Sequence, residues 1–238
     1  MAYAVGEIPS QYERITKLEM SWTVGADAKS SRAFYSPWFG MDPADNLNLV
    51  QPVNPWGGSS WSMYTEYFQW RPEHNSNSRQ YSVKAGQTLH GSIVYDASSD
   101  AYLLSQEIVE TGAVSSQTVP CQSGKKYTIP YVVYEKTFPC ADYPPDAVVT
   151  FRNITIECDG SDCTKQVQWT PKVEDANCNM AAHVDKYPAE ISITWDTSRS
   201  SRYDNHTHEE LEALNGQSGW GAAIVRARAA AAAAVEEP

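Results

Sequence analysis

Positive charge, phenylalanine and long apolar runs are what this sequence is short of. Lysine and arginine number 18 against 29 aspartates and glutamates, a formal net charge of −11 at pH 7. That balance argues against nucleic acid and anionic lipid as partners. No stretch approaches the roughly 18 apolar residues that a membrane-spanning helix needs, so no membrane partner is expected. No cysteine precedes Cys121, and the five present show no C-x-x-C spacing. His74, His90, His183, His206 and His208 share no spacing either, so no metal and no cofactor is expected. G-x-S-x-G, G-x-x-x-x-G-K and H-E-x-x-H are all missing, which removes the familiar serine-nucleophile, phosphate-loop and zinc-hydrolase patterns.

What is present is a 238-residue chain, 42% hydrophobic and 20% charged, long enough to bury a core of its own. Eight Trp and 14 Tyr stand against 5 Phe. Rings with a polar handle suit half-wet surfaces and ligand grooves as well as sheet packing. From Ile15 the pattern has a period of two: Leu18, Met20, Trp22 and Val24 alternate with Lys17, Glu19, Ser21 and Thr23. Further strand-like runs cover 33–41, 47–50, 62–70, 80–83, 88–95, 101–109, 115–119, 126–135, 148–156, 167–169 and 190–195. Turn-rich segments such as DPADN, PEHNSNS, DASSD and CDGSDC separate them. Short, regularly spaced strands without intervening helices predict an all-β fold, an antiparallel two-sheet sandwich of the jelly-roll type. The expected division is an irregular lead-in over 1–14, a β-sandwich domain over 15–197, and a tail over 198–238. That tail contains a short helical stretch from Asn205 and an Ala-rich run that is a frayed helix or disordered. A monomer is expected.

Cys158 and Cys163 flank a D-G-S-D turn and could close as a local disulfide. Cys121 and Cys140 bracket a strand; pairing them leaves Cys178 over. Asn153-Ile-Thr and Asn205-His-Thr are glycosylation sequons. These features favour a secreted protein. The opening residues contain no basic segment followed by an apolar one, which keeps an intracellular location as the alternative.

Four segments hold the candidate chemistry. Trp38-Phe-Gly-Met-Asp42 ends a strand, and Leu49-Val-Gln51-Pro puts an uncharged amide at the end of another. The strand Tyr64–Glu73 follows, with Tyr64, Phe68 and Trp70 on one face and Tyr67 on the other. In Tyr131-Val-Val-Tyr-Glu135, an acid ends an apolar strand. A glutamate among Tyr and Val side chains has its pKa raised by desolvation, which suits general acid or base work. Lys136 next in sequence acts in the opposite sense.

In order and spacing these segments resemble the glutamic peptidases, the eqolisin family of secreted fungal acid proteases. Trp38–Asp42 is similar to that family's W-V-G-I-D, Leu49–Gln51 to its I-L-Q, and Tyr64–Glu73 to its Y-D-x-W-Y-E-W-Y-P-D. Lys84–Thr88 is similar to its S-P-G-D-S turn, Tyr131–Lys136 to its E-W-I-V-E-D, and the 148–156 strand to its V-T-F-T-N. The resemblance covers residues 15–197 and implies a lectin-like, concanavalin-type sandwich with a groove over one sheet. It implies an acid endopeptidase in which Gln51 holds the attacking water and Glu135 acts as general base and then acid. Trp38, Asp42, Tyr64, Tyr67 and Trp70 would line or support the substrate cleft. The substrate would be a polypeptide. The alternatives are a small-molecule metabolite isomerised or cyclised by the same acid/base pair, and a non-catalytic peptide- or carbohydrate-binding sandwich. Several family acids are replaced: Thr65 and Gln69 stand where the pattern has acids, and Pro52 follows the amide.

Overall fold

The computed structural model describes residues 1–28, 35–135, 139–174, 177–207 and 209–211. It is an all-β sandwich of two antiparallel sheets. In chain order the strands are β1 (Ala2–Glu7), β2 (Ile15–Thr23), β3 (Ser36–Pro43), β4 (Asn48–Val53), β5 (Trp61–Trp70), β6 (Glu73–Asn77), β7 (Tyr81–Val83) and β8 (Thr88–Asp96). Then follow β9 (Ala101–Ile108), β10 (Ala113–Pro120), β11 (Tyr127–Glu135), β12 (Val148–Cys158), β13 (Ser161–Asp162), β14 (Gln168–Val173), β15 (Ala181–His183) and β16 (Glu190–Thr194). The first sheet runs β14-β1-β11-β3-β4-β5-β6, with β7 also on β5; the second runs β10-β9-β8-β2-β12-β16-β15, with β13 on β12.

The core lies between the sheets. Phe39, Met41, Val50, Val132 and Tyr134 of the first sheet meet Leu18, Met20, Trp22, Leu89, Ile93 and Phe151 of the second. Trp22 packs edge-on to Phe39 with ring centroids 5.8 Å apart and also contacts Phe151 at 5.3 Å. Gly91 on β8 makes this closeness possible: a Cβ there would lie 2.7 Å from a Phe39 ring carbon and 2.8 Å from Pro52 Cγ. Pro52, read in the sequence as a stiffening of the chain after Gln51, thus also fills the space between the sheets.

The first sheet has a second apolar cluster on its outer face, made by Met1, Trp38, Leu49, Val53, Tyr64, Tyr131 and Val133. Strands β3 and β4 are consequently buried along their whole length. Such double coverage explains why their sequences read as continuous apolar runs rather than as alternation.

Four sequence expectations change. Residues 2–7, assigned to an irregular lead-in, form β1 between β11 and β14 inside the first sheet. Its inward positions are small, Ala2 and Ala4, and Gly6 lies against Pro130, so the segment carries little hydrophobic signal despite its central place. The PEHNSNS segment, read as a turn, holds β6, an edge strand whose polar side chains suit its solvent-facing position. The third change concerns the cysteines. Cys158–Cys163 bond as expected, but Cys140 bonds Cys178 and the free thiol is Cys121. Cys121 follows the end of β10 in the second sheet, whereas Cys140 sits in a 3-10 turn after β11 beside the 3-10 turn Asn177–Asn179. In the tail, Thr207 Oγ accepts from Glu210 N at 3.2 Å while Glu210 Oε2 accepts from Thr207 N at 2.8 Å, so Thr207 caps the helical turn. The Ala-rich run lies outside the described residues.

The cross-links differ in the length of chain they enclose. Cys140–Cys178 spans 38 positions and Cys158–Cys163 only 5. Replacing the first pair by serine should cost about 4 kcal/mol in urea denaturation, and replacing the second pair about 2 kcal/mol.

Candidate functional site

Strand pairing fixes the site. On β4 the outer face carries Leu49, Gln51 and Val53; on β5 it carries Tyr64, Glu66, Phe68 and Trp70. Gln51 pairs directly with Glu66 in the β4–β5 register. Its Nε2 donates to Glu66 Oε2 at 2.6 Å. Asn75 Nδ2 on β6 donates to the other carboxyl oxygen at 3.4 Å. Gln51 is 1% exposed and Glu66 3% exposed. Among the described residues Gln51 Oε1 has no hydrogen-bond partner. A buried polar atom left so costs about 1–3 kcal/mol, so this oxygen marks a place where a polar ligand group would be stabilised.

Gly40 on β3 makes room for the amide. A Cβ there would fall 2.5 Å from Val50 O and 3.0 Å from Gln51 Cβ. Gly40 pairs on its other side with Tyr131 of β11, so Tyr131, Gly40, Gln51 and Glu66 cross the sheet in one row. Alongside runs Val133, Trp38, Val53 and Tyr64.

Glu135 ends β11, facing Ser36 in the register. It lies four residues beyond Tyr131, about 13 Å of extended backbone from the row of Gln51. Its carboxylate accepts a hydrogen bond from Trp38 Nε1 at 3.2 Å. Gln51 is therefore bonded to Glu66, and Trp38 stands between Glu135 and that pair. Burial drives the Glu135 carboxyl up to about 7; the Trp38 indole opposes this, and the charge of Glu66 adds to it. Glu66 is raised as well, by burial first, against the bonds from Gln51 and Asn75. Tyr64 lies in the field of both acids, and burial followed by those charges pushes its phenol up. Lys136 lies outside the described residues.

The other expected residues divide. Trp38 and Tyr64 belong to the outer-face cluster, and Trp70 packs on Phe68 there with centroids 4.8 Å apart. Trp70 is four residues from Glu66, about 13 Å along β5. Asp42 ends β3 fully buried opposite Ile129. Tyr67 is the departure: its ring joins the core between the sheets, and its hydroxyl accepts from Asn48 at 2.9 Å and donates to Gln69 at 2.7 Å. The two-residue period places it opposite the wall it was expected to form.

Glu66 and Asn75 are the site residues that sequence reasoning missed. The same period that put Tyr64, Phe68 and Trp70 on one face puts Glu66 there too, so the signal was present. Asn75 sat in a segment read as a turn.

Against solved structures, the chain is similar to scytalido-glutamic peptidase with a transition state analog inhibitor: TM-score 0.61, 16% identity, covering 81% of this chain and 96% of that one. It is also similar to SCP-B, a member of the eqolisin family of peptidases, in a complex with the tripeptide Ala-Ile-His: TM-score 0.59, 15% identity, covering 82% and 97%. The chain has the glutamic peptidase fold. No protein-family model and no curated protein matches the sequence.

Two outcomes follow from the electrostatics. A carboxyl whose pKa is raised on folding holds its proton more tightly in the native state. Its stability contribution is complete below the ordinary glutamate value near 4.5 and is lost as pH rises to about 7. Denaturation midpoints should therefore fall over that interval, and Glu135→Gln should flatten the fall. Trp38→Phe removes a donor to the charged form and should move the Glu135 titration midpoint above about 7 by carboxyl NMR.

Proposed function

We propose that the chain is a hydrolase of the glutamic peptidase type, cleaving peptide bonds with water activated on the outer face of the first sheet. The observation that carries this reading is the buried Gln51–Glu66 pair on the same outer face as Glu135, whose carboxyl feels the charge of Glu66, on a sheet with the glutamic peptidase fold. In this reading the Glu135 carboxylate takes a proton from water. The water oxygen bonds to the substrate carbonyl carbon, and the carbonyl electron pair moves to its oxygen. Collapse of that tetrahedral species breaks the C–N bond, and Glu135 returns the proton to the departing nitrogen. The Gln51 amide has a second N–H for the oxyanion and a carbonyl oxygen for the water. Trp38 and Tyr64 border the reacting groups, Trp70 lies farther along the same face, and Asp42 supports β3 from its end. Two disulfides support a place in an oxidising compartment, as for a secreted enzyme.

The pH of action follows from the base. A carboxyl poised near 7 is mostly protonated in acid, so cleavage should rise towards neutrality rather than peak at pH 2–4. A second reading is favoured by the burial of Gln51 and Glu66, 1% and 3% exposed. Groups so enclosed suit a small molecule held in a closed pocket, moved through proton transfer by the same acids.

Incubating the protein with an unfolded protein substrate from pH 2 to 8 tests both readings. Peptidase action predicts cleavage that climbs with a midpoint near 7. It should fall about 100-fold or more in Glu135→Gln and about 100- to 1000-fold in Gln51→Ala. A maximum near pH 3 would remove Glu135 as the base. No cleavage by folded protein at any pH would remove the peptidase reading and leave the small-molecule one.

A further inference from the structure

Glu66 has no counterpart among the acids that the sequence motifs led one to expect. It occupies the unspecified position in Y-D-x-W, between Thr65 and Tyr67, while the pattern's own acid positions hold Thr65 and Gln69. Thr65 is fully buried, and Gln69 bonds Tyr67 and the backbone of Pro72. The acid has in effect moved one residue along β5, which transfers it from the face between the sheets to the face that carries Gln51.

We propose that Glu66 is a positioning residue of this site: it holds the Gln51 amide in one orientation and acts on Glu135 through space by its own charge. The inference rests on the hydrolase reading for its catalytic meaning, although its physical content can be measured without turnover.

The geometry supports the first half. Gln51 and Glu66 are direct cross-strand partners, and their side chains meet at 2.6 Å in a place that water barely reaches. A free glutamine amide can rotate to exchange its oxygen and nitrogen. Here a carboxylate can accept only from Nε2, so the amide is locked with Oε1 uncommitted. Asn75 fixes the far carboxyl oxygen from β6, so Glu66 is held from both neighbouring strands.

The second half follows from what surrounds the two acids. From β5, Tyr64 faces both. From β3, Trp38 supplies an uncharged indole to Glu135. From β4 and β6, the amides of Gln51 and Asn75 bond Glu66. Glu174 after β14 and the amino group at Met1 act on Glu135 from the other side, with opposite signs. His74 on β6 faces Gln69 in the register and lies against Tyr67. The charge of Glu66 therefore makes ionising Glu135 harder.

Nuclear magnetic resonance with carboxyl-labelled glutamate and labelled glutamine side chains tests this directly. In the wild type one Gln51 amide proton should move as Glu66 titrates. That response should vanish in Glu66→Leu. In Glu66→Gln the Glu135 midpoint should shift to lower pH, because a negative neighbour has been removed. Kinetically, Glu66→Leu should lower kcat about 100-fold with KM little changed. Glu66→Gln, which can still accept the Gln51 N–H, should restore most of kcat while its pH profile moves with Glu135. Should Glu66→Leu not fold, Glu66→Gln with an unchanged melting temperature still reads the coupling.

A Gln51 amide indifferent to pH, or a Glu135 midpoint unchanged in Glu66→Gln, overturns the proposal. So does wild-type kcat with an unaltered pH profile in folded Glu66→Leu. If both spectroscopic signatures are present but the wild type cleaves no peptide, the peptidase reading fails and the Glu66 assignment stands for the small-molecule reaction.

Discussion

Burial on both faces of β3, β4 and the start of β5 is the constraint from which the rest of the site follows. A polar side chain placed there has no bulk water to turn to, and its partner must come from the sheet itself. Gln51 finds that partner one strand away, in register, and Glu66 finds a second one on β6. The cost of burying these carboxyls appears in the upward displacement of both acids. The sandwich thus supplies the low-dielectric surroundings that make a glutamate reactive near neutral pH.

Two close approaches let this happen in so small a space. Gly91 brings the second sheet against Phe39 and Pro52, which anchors β3 and β4 from within. Gly40 lets the Val50 carbonyl oxygen and Gln51 Cβ lie close against β3. The outer apolar cluster then encloses the row that contains Gln51 and Glu66. Trp38 serves both purposes, filling that cluster with its rings and presenting its N–H to Glu135.

The fold was legible because most strands announce themselves by turns and alternation, as β2 does through Leu18, Met20 and Trp22. It was illegible where the physics lies in contacts distant in sequence. The small residues of β1 give no apolar pattern, yet the strand is central because β11 and β14 flank it. The cysteine pairing depends on how two 3-10 turns meet, which spacing does not encode. In the site, Gln51, Trp38 and Tyr64 could be found from motif order, and Tyr67 could be assigned to the inner face by parity alone. Which glutamate meets Gln51 is a question of register between β4 and β5, and the shift of an acid by one position on β5 decides it.

The direct pairing of Gln51 with Glu66 also bears on how such a chain can drift over generations. Losing the acid alone strands a buried N–H, and losing the amide alone leaves a buried carboxyl with a single weak donor. Either loss carries a cost of about 1–3 kcal/mol, a sizeable share of a domain's whole stability. Substitutions at these two positions are therefore not independent: the accessible path passes through simultaneous or compensated replacement.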